Sequence, residues 1–266
     1  MHKHARWMFG FKLVCIACAL LLPAMPQPLE YHDFADSRTV FGVPNFMDVV
    51  SNAAFIIAGA AGLWATFSRR ACFASSVERL PYAVFFAGVV LTGFGSWYYH
   101  LEPDNERLFW DRLPMTIAFM GLVASQMVDR ISVRSGLVML VPLLVLGIAS
   151  VVYWRATERM GSGNVTPYAV LQAYAVFVLL MLASFTTSRY TRGSQLFLVF
   201  GWYIVAKVVE LFDHQIFTAL GGTVSGHTLK HVAAAMGAVV VARMLVRRAQ
   251  QPAGVGDVRR SLAATG

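Results

Sequence analysis

Long apolar runs separated by short polar breaks cover almost the whole chain. An α-helix needs about 20 apolar residues to cross a bilayer, because it rises 1.5 Å per residue. Eight runs reach about this length, near residues 7–26, 46–67, 81–100, 110–128, 136–153, 167–185, 195–212 and 227–246. The pattern predicts an all-α membrane protein with eight transmembrane helices.

Composition supports this class and excludes others. Of the 266 residues, 57% are hydrophobic and 14% are charged, whereas soluble domains carry roughly 25% charged residues. The net charge of +8 does not indicate nucleic-acid binding, because the basic residues are spread over several short loops and not gathered on one folded domain. The expected partner is therefore the lipid bilayer, and no nucleic-acid partner is expected.

The charged residues also predict an orientation. Basic residues recur in segments 69–79, 130–134 and 243–248, whereas segments 30–48 and 102–106 are rich in acidic residues. Lys and Arg are enriched in cytoplasmic loops. We therefore expect both chain ends in the cytoplasm and the acidic loops on the opposite side.

The two ends of the chain are interpreted separately from its core. Residues 1–30 combine a basic flank with an apolar run, which indicates a retained signal-anchor or a cleaved signal peptide; without a clear small-x-small cleavage site we favour the anchor. Cys15 and Cys18 lie within that run and are interpreted as helix-packing residues, not as a redox or metal pair. Residues 249–266 are predicted to form a disordered cytoplasmic tail.

A set of polar residues is predicted to meet at one face of the membrane. His227 and His231 are four residues apart, so on a helix they share one face and can hold one transition-metal ion, with His100 as a third imidazole ligand. Zinc is the expected metal, because imidazole ligands suit it. Ser96 lies one turn before His100, and Asp111 begins the next apolar run.

Each of these residues also has a simpler explanation. The histidine pair would fit a helix core, Ser96 a helix contact, and Asp111 a helix N-terminus with Arg112 as a solvated neighbour. However, ionisable residues that converge at one membrane depth are costly to maintain, which favours a functional site.

The order SxxxH, an aspartate eleven residues after that histidine, and HxxxH at the start of the last run resembles the alkaline ceramidases of the CREST superfamily of membrane hydrolases. YHDFADSRTVFGVPNFMDVVSN and RLFWDRLPM are similar to segments of its bacterial ceramidase-like members. The resemblance implies a seven-transmembrane-helix CREST-type hydrolase core over residues 31–248, with residues 1–30 as one additional helix. It also implies a multi-pass protein of a bacterial inner membrane, with its active site facing the periplasm.

The resemblance implies a zinc ion held by His100, His227 and His231, with Ser96 and Asp111 as catalytic residues. The implied reaction is that of a hydrolase acting on linear amide C–N bonds. Metal-activated water would split ceramide or a related N-acyl lipid into a fatty acid and a sphingoid base or amine, with Asp111 moving the proton and Ser96 donating to the oxyanion.

Two other functions remain open from the sequence. A zinc-containing lipid receptor of the same superfamily would bind lipid with slow or no hydrolysis. A transporter or haem-type electron carrier would also use paired histidines, although the chain contains no repeat typical of transporters.

A calcium site near the zinc is also implied by the resemblance. The aligned positions are Asp33, the main-chain carbonyl of Phe34, Asp36, Arg38 in place of an asparagine ligand and Asn45 in place of a glutamate ligand. The two replacements remove one negative charge and add one positive charge, whereas Ca²⁺ prefers several carboxylate oxygens. The segment therefore either binds Ca²⁺, with Asp48 as a substitute ligand, or forms a surface ion-pair cluster.

Four further polar residues have weaker predictions. Lys207 and Glu210, three residues apart, are expected to form an internal ion pair. Asp213 and His214 lie at the depth expected of partners that support the ligand histidines.

Overall fold

The computed structural model of the protein describes residues 22–251, and all regular secondary structure in that range is helical. In chain order, the α-helices are α1 (Phe46–Ser51), α2 (Ala53–Phe67), α3 (Arg79–Leu101), α4 (Asn105–Arg130), α5 (Val133–Arg159), α6 (Thr166–Phe185), α7 (Gln195–Leu211), α8 (Asp213–Ala219) and α9 (Gly226–Arg247). Short 3₁₀ helices occur at Leu29–His32 and Ser76–Glu78.

The helices follow the apolar runs closely. Every predicted run after residue 45 coincides with one helix, or with α1 and α2 together, which confirms the all-α prediction. The first predicted run, 7–26, lies almost wholly outside the described residues.

Not every helix meets the length and hydropathy expected of a membrane span. Within residues 22–251, five helical segments are long and apolar enough to cross a bilayer: Phe46–Phe67, Ser76–Leu101, Val133–Arg159, Thr166–Phe185 and Gly226–Arg247. The pair α7 and α8 adds a sixth if it is one broken span, with a bend of 76° between its halves. Helix α4 has 26 residues but includes three acidic and three basic side chains. The expected seven spans plus one are therefore not confirmed.

Three helices begin at side chains that accept a hydrogen bond from a free backbone N–H. Asp104 accepts from Arg107 N at 2.6 Å, Ser132 from Ser135 N at 3.0 Å, and Ser225 from Thr228 N at 2.9 Å. Such caps satisfy donors that the helix itself leaves unpaired. They fix where α4, α5 and α9 start.

Helix α4 lies at the centre of the fold. It packs against α3, α5 and α6, while α9 packs against α2 and α7. The main core cluster contains Tyr82, Phe86, Met120, Val123 and Leu245 among other buried apolar residues. A smaller cluster around Trp154 joins the ends of α3, α4 and α5.

A buried ion pair closes the end of the bundle where α4 and α9 finish. Arg248 Nη1 lies 2.6 Å from Asp129 Oδ2, and these side chains are only 1% and 3% exposed. The Tyr82 hydroxyl donates to the same carboxylate at 2.7 Å. Residues 249–251, the first of the predicted tail, hydrogen-bond to residues 189–191; the rest of the tail lies outside the described residues.

Candidate metal centre and adjoining cavity

Three histidines from two helices meet at the other end of the bundle. His100 lies in the last turn of α3, His227 in the first turn of α9, and His231 one turn later. All three are buried, and their candidate ligand atoms lie within 4.8 Å of one another. Among residues 22–251, this is the one group of three or more His, Cys, Asp or Glu side chains close enough to share an ion. The structure brings together the set that the spacing predicts.

The nitrogen geometry fits a tetrahedral metal ion. His227 Nε2 lies 3.2 Å from His100 Nε2. Metal–nitrogen bonds of about 2.0 Å to 2.1 Å at tetrahedral angles place two ligand nitrogens roughly 3.3 Å apart. The cluster could therefore hold a transition-metal ion with only small shifts.

Ser51 orients the His231 ring. Its hydroxyl lies 2.7 Å from His231 Nδ1 and 3.0 Å from the Asp48 carbonyl oxygen. If the hydroxyl hydrogen goes to that carbonyl, the serine oxygen accepts from His231, so Nδ1 carries the proton and Nε2 keeps its lone pair. A hydrogen bond to the outer nitrogen commonly orients a ligand histidine in this way.

Two buried carboxylates hold the start of α9. Asp213 Oδ1 accepts from the backbone N–H of His227 at 2.7 Å, and its Oδ2 accepts from Ala35 N at 2.9 Å. Asp48 Oδ1 accepts from the hydroxyls of Ser225 and Thr228 at 2.9 Å and 2.6 Å. Asp213 thus supports the centre as expected, although through the backbone and not through an imidazole.

The segment before α1 covers the centre. The Phe34 ring lies with its centroid 4.3 Å from that of His227 and 4.7 Å from that of His100. His214 Nε2 lies 3.3 Å from the Asp33 carbonyl oxygen. Phe34 therefore shields two imidazoles from solvent.

The residues implied for calcium do not fit that ion as they stand. Arg38 donates to both oxygens of the fully buried Asp36 carboxylate, through Nε at 2.7 Å and Nη2 at 2.8 Å. The Asn45 amide nitrogen donates to the His100 carbonyl at 2.9 Å. Ca²⁺ would need carboxylate oxygens that the guanidinium already occupies. The ion-pair alternative describes the observed geometry of Asp36 and Arg38.

Ser96 and Asp111 share a cavity with one of the three histidines. Both side chains are buried, and the two lie close together in the fold. They line a cavity of about 430 Å³ together with His231. The volume is within the range of small-molecule sites, about 300 to 1,000 Å³. One wall of this cavity thus joins a candidate metal ligand to a carboxylate and a hydroxyl.

Two lysines and one carboxylate line the same cavity. Glu210 lies 2.7 Å from Lys207 Nζ and 2.5 Å from Lys230 Nζ. The predicted pair of Lys207 and Glu210 is therefore present, with Lys230 as an additional partner. One negative charge is shared by two positive charges.

Sequence reasoning missed the roles of Ser51 and Arg112. Arg112, expected in solvent, is only 5% exposed and lines the cavity. Ser51 is one of few polar residues in an apolar run. Polar residues within a membrane span are a general signal of function, but the sequence does not show which way they point.

Ion pairs away from the cavity join the first turn of α4 to the last turns of α5. Glu106 accepts from Arg159 and Arg155 at distances of 2.7 Å to 2.8 Å. These hydrogen bonds lower the pKa of Glu106 to about 2. The carboxylate is therefore ionised at any physiological pH and pairs with two arginines of the neighbouring helix.

The comparison with protein families agrees with this geometry. The family model described as Ceramidase matches residues 39–252, which is most of the chain. The match includes the three histidines, Ser96 and Asp111, whereas Asp33 and Asp36 lie before it. No curated protein matches the chain.

Proposed function

Because this chain belongs to the ceramidase family, which implies a hydrolase acting on amide bonds, we propose that it hydrolyses ceramide or a related N-acyl lipid. The products would be a fatty acid and a sphingoid base or amine. We propose zinc as the metal, because three neutral imidazoles suit it and hydrolysis requires no redox change.

One observation carries the proposal. His231, one member of the buried cluster of His100, His227 and His231, lines the cavity that Ser96 and Asp111 also line. Amide hydrolysis requires an electrophile, a proton acceptor and an oxyanion donor within one site. A cavity that a candidate metal ligand, a carboxylate and a hydroxyl all line supports this function, whereas a receptor needs no such combination.

A zinc ion in the cluster would polarise the amide carbonyl and lower the pKa of water toward about 7. His231 would bind through Nε2, since Ser51 holds its Nδ1–H. His100 and His227 would contribute the Nε2 atoms that already face each other.

Asp111 is the proposed proton carrier, and Ser96 is its partner. In the proposed mechanism, an ionised Asp111 carboxylate would accept a hydrogen bond from the Ser96 hydroxyl before reaction. Once Asp111 has taken a proton from water, it becomes a donor toward Ser96, which releases the Ser96 hydrogen for the oxyanion. Asp111 then passes its proton to the leaving amine. An oxyanion donor of this kind contributes about 3 to 4 kcal/mol to transition-state stabilisation.

The cavity's apolar wall suits the hydrocarbon part of such a substrate. Phe85, Val89, Leu122, Val199 and Ala238 line it. An acyl chain that enters from the bilayer would find an environment of similar polarity against these residues. The polar residues at the centre would then meet the amide.

The test combines metal analysis with fatty-acid release from ceramide by the purified full-length protein. We expect about one zinc ion per chain and hydrolysis that stops on metal removal and returns with zinc. His231→Ala should lose the metal and the activity, whereas Asp111→Asn should keep the metal and lose at least 100-fold in kcat.

Glu102→Gln is the matched control, because its side chain is exposed and outside the cavity. It should retain metal and activity. Hydrolysis by wild-type protein that is free of metal would refute the proposed mechanism. Bound zinc without turnover of any N-acyl lipid would favour the receptor function instead.

A further inference from the structure

Arg112 is a buried cation without a matching anion. Its Nη2 donates to Gln27 Oε1 at 2.6 Å, but Nη1 is buried and has no hydrogen-bond partner. Within the described residues 22–251, Arg112 forms no ion pair with a carboxylate. A buried guanidinium with an unused donor is costly unless something else binds it.

Aromatic rings hold this guanidinium in place. Its central carbon lies 4.5 Å from the ring centroid of Trp154, 4.9 Å from that of Tyr168 and 5.3 Å from that of Tyr31. Such contacts stabilise the cation by about 0.5 to 2 kcal/mol each. They leave its charge intact and restrict its orientation, as preorganised binding sites require.

A second donor faces the same space. The Tyr168 hydroxyl accepts a hydrogen bond from the Gln172 side chain, so its own hydrogen is free to be donated. Arg112, Tyr168 and Gln172 all line the cavity that contains Asp111 and His231. A guanidinium and a phenol O–H together suit an oxygen anion.

The charges of the side chains that line the cavity also favour an anionic ligand. Its lining has three cationic side chains, Arg112, Lys207 and Lys230, against the two carboxylates Asp111 and Glu210. Glu210 lies between both lysines, so that group keeps one excess positive charge. Neither carboxylate forms an ion pair with Arg112, so within residues 22–251 the guanidinium has no contacting anion.

From these contacts we propose that Arg112 and Tyr168 bind an oxyanion, a phosphate or a carboxylate, on the headgroup of the lipid substrate. This assignment rests on the proposed function and narrows it: the preferred substrates are N-acyl lipids with an anionic headgroup, not neutral ceramides. The anionic headgroup would contact Arg112 while the amide lies at Asp111, one residue along the same helix.

The test measures binding of lipid pairs that differ only in headgroup charge. The full-length protein is titrated with a ceramide and with its phosphorylated counterpart of the same acyl chain, and then with an N-acylethanolamine and the matching N-acylglycine. We expect the anionic member of at least one pair to bind wild type at least tenfold more tightly. Arg112→Gln should abolish this preference, and Tyr168→Phe should reduce it.

Arg107→Gln is the matched control, because Arg107 lies on the same helix, is partly exposed and does not line the cavity. It should retain the preference. Gln27→Leu removes the one side-chain acceptor of Arg112. This variant should still prefer anionic lipids. That result would show that Arg112 binds the anion and does not act only by holding residue 27. Arg112→Lys keeps the charge and carries the test if Arg112→Gln does not fold.

Three results would overturn the assignment: equal binding of both members of both pairs, a preference that Arg112→Gln leaves unchanged, or a preference that Gln27→Leu abolishes. Free fatty acid and inorganic phosphate are separate competitors. If fatty acid alone requires Arg112 and neither headgroup pair shows a preference, Arg112 is a product site and the headgroup assignment fails.

Binding does not depend on turnover, so the two proposals fail separately. A protein that prefers anionic lipids and hydrolyses none of them contradicts the amidase proposal and keeps the anion site. Hydrolysis with no headgroup preference contradicts the anion site and keeps the amidase proposal.

Discussion

The hydroxyl of Ser51 illustrates how one uncharged side chain prepares a metal ligand. Its oxygen holds His231 in one tautomer and one orientation. Since His227 and His100 already face each other, the position of the His231 ring decides whether a third bond can form. Hydrogen bonds to ligand histidines are typically worth 10-fold to 100-fold in metal affinity.

Ser51→Ala should therefore weaken zinc binding by about 10-fold to 100-fold without unfolding the protein. Competition with a chelator of known affinity measures the change. Ser51→Thr, which retains the hydroxyl, should restore most of the affinity. Equal zinc affinity in wild type and Ser51→Ala would contradict the tautomer assignment.

Arg38 supplies the positive charge that the buried Asp36 requires. The wild-type melting temperature should not change when Ca²⁺ is added or chelated, because the guanidinium occupies both Asp36 oxygens. Arg38→Gln should lower the melting temperature, because it leaves the buried Asp36 carboxylate without a cation. Added Ca²⁺ should recover part of that loss.

Arg107→Gln is again the control, because its partner Glu102 is exposed and such pairs contribute about 1 kcal/mol or less. Its melting temperature should not respond to Ca²⁺. A fall in wild-type stability on Ca²⁺ chelation would show that the ion binds despite Arg38.

At this scale the sequence predicted side-chain identities better than side-chain directions. Spacing on one helix face was sufficient to pair His227 with His231. The stacking of Phe34 on the imidazoles and the burial of Arg112 depend on how distant segments pack. The helical periodicity of the sequence encodes neither feature, so neither was predicted.

At the scale of helices, the close approach of α9 to the α7–α8 bend positions two ligands. A Cβ added at Gly226 would lie 2.1 Å from the Val209 carbonyl oxygen and 2.7 Å from Asp213 Cα. Only glycine permits this contact, which allows Asp213 to accept from the His227 N–H.

Gly226→Ala should therefore push α9 away and separate His227 from its support. We expect a loss of about 1 to 3 kcal/mol in stability and a measurable loss of bound zinc. Gly201→Ala on α7 is the matched control, because a Cβ there meets no atom within 4 Å. Thermal unfolding and metal content distinguish the two. Full metal retention in Gly226→Ala would contradict the contact argument.

Helix α4 shows why span counting from the sequence is limited. Its charged residues are mostly buried against other helices and not exposed to lipid. The mean hydropathy of the whole helix is therefore low, although the sequence pattern identified residues 110–128 within it as an apolar run. The bend at Phe212 was also not predicted, because no proline marks it.

At the scale of the whole molecule, the two ends of the bundle have different chemistry. The histidines, Asp111 and the acidic loops lie at one end, and the Asp129–Arg248 pair with the arginine-rich segments lies at the other. Alternation of helix direction along the chain produces this separation, and the apolar period of the sequence predicted it. The side of the membrane that each end faces rests on loop charge alone.

The orientation can be tested by cysteine labelling. In a variant without the three native cysteines, Glu102→Cys should react with an impermeant maleimide in intact bacterial cells. Arg70→Cys should react only after the membrane is permeabilised. Both side chains are exposed, so accessibility depends on the side of the membrane. The reverse labelling pattern would place the centre in the cytoplasm.

The Phe34 ring over His100 and His227 also has a kinetic consequence. The short peptide of residues 33–36 would shield an ion in the cluster on this side, and that peptide is held at Ala35, whose N–H donates to Asp213. Exchange of the ion with isotopically labelled zinc through this side would then be slow. Shortening Phe34 to alanine should accelerate that exchange while the ligand set stays complete.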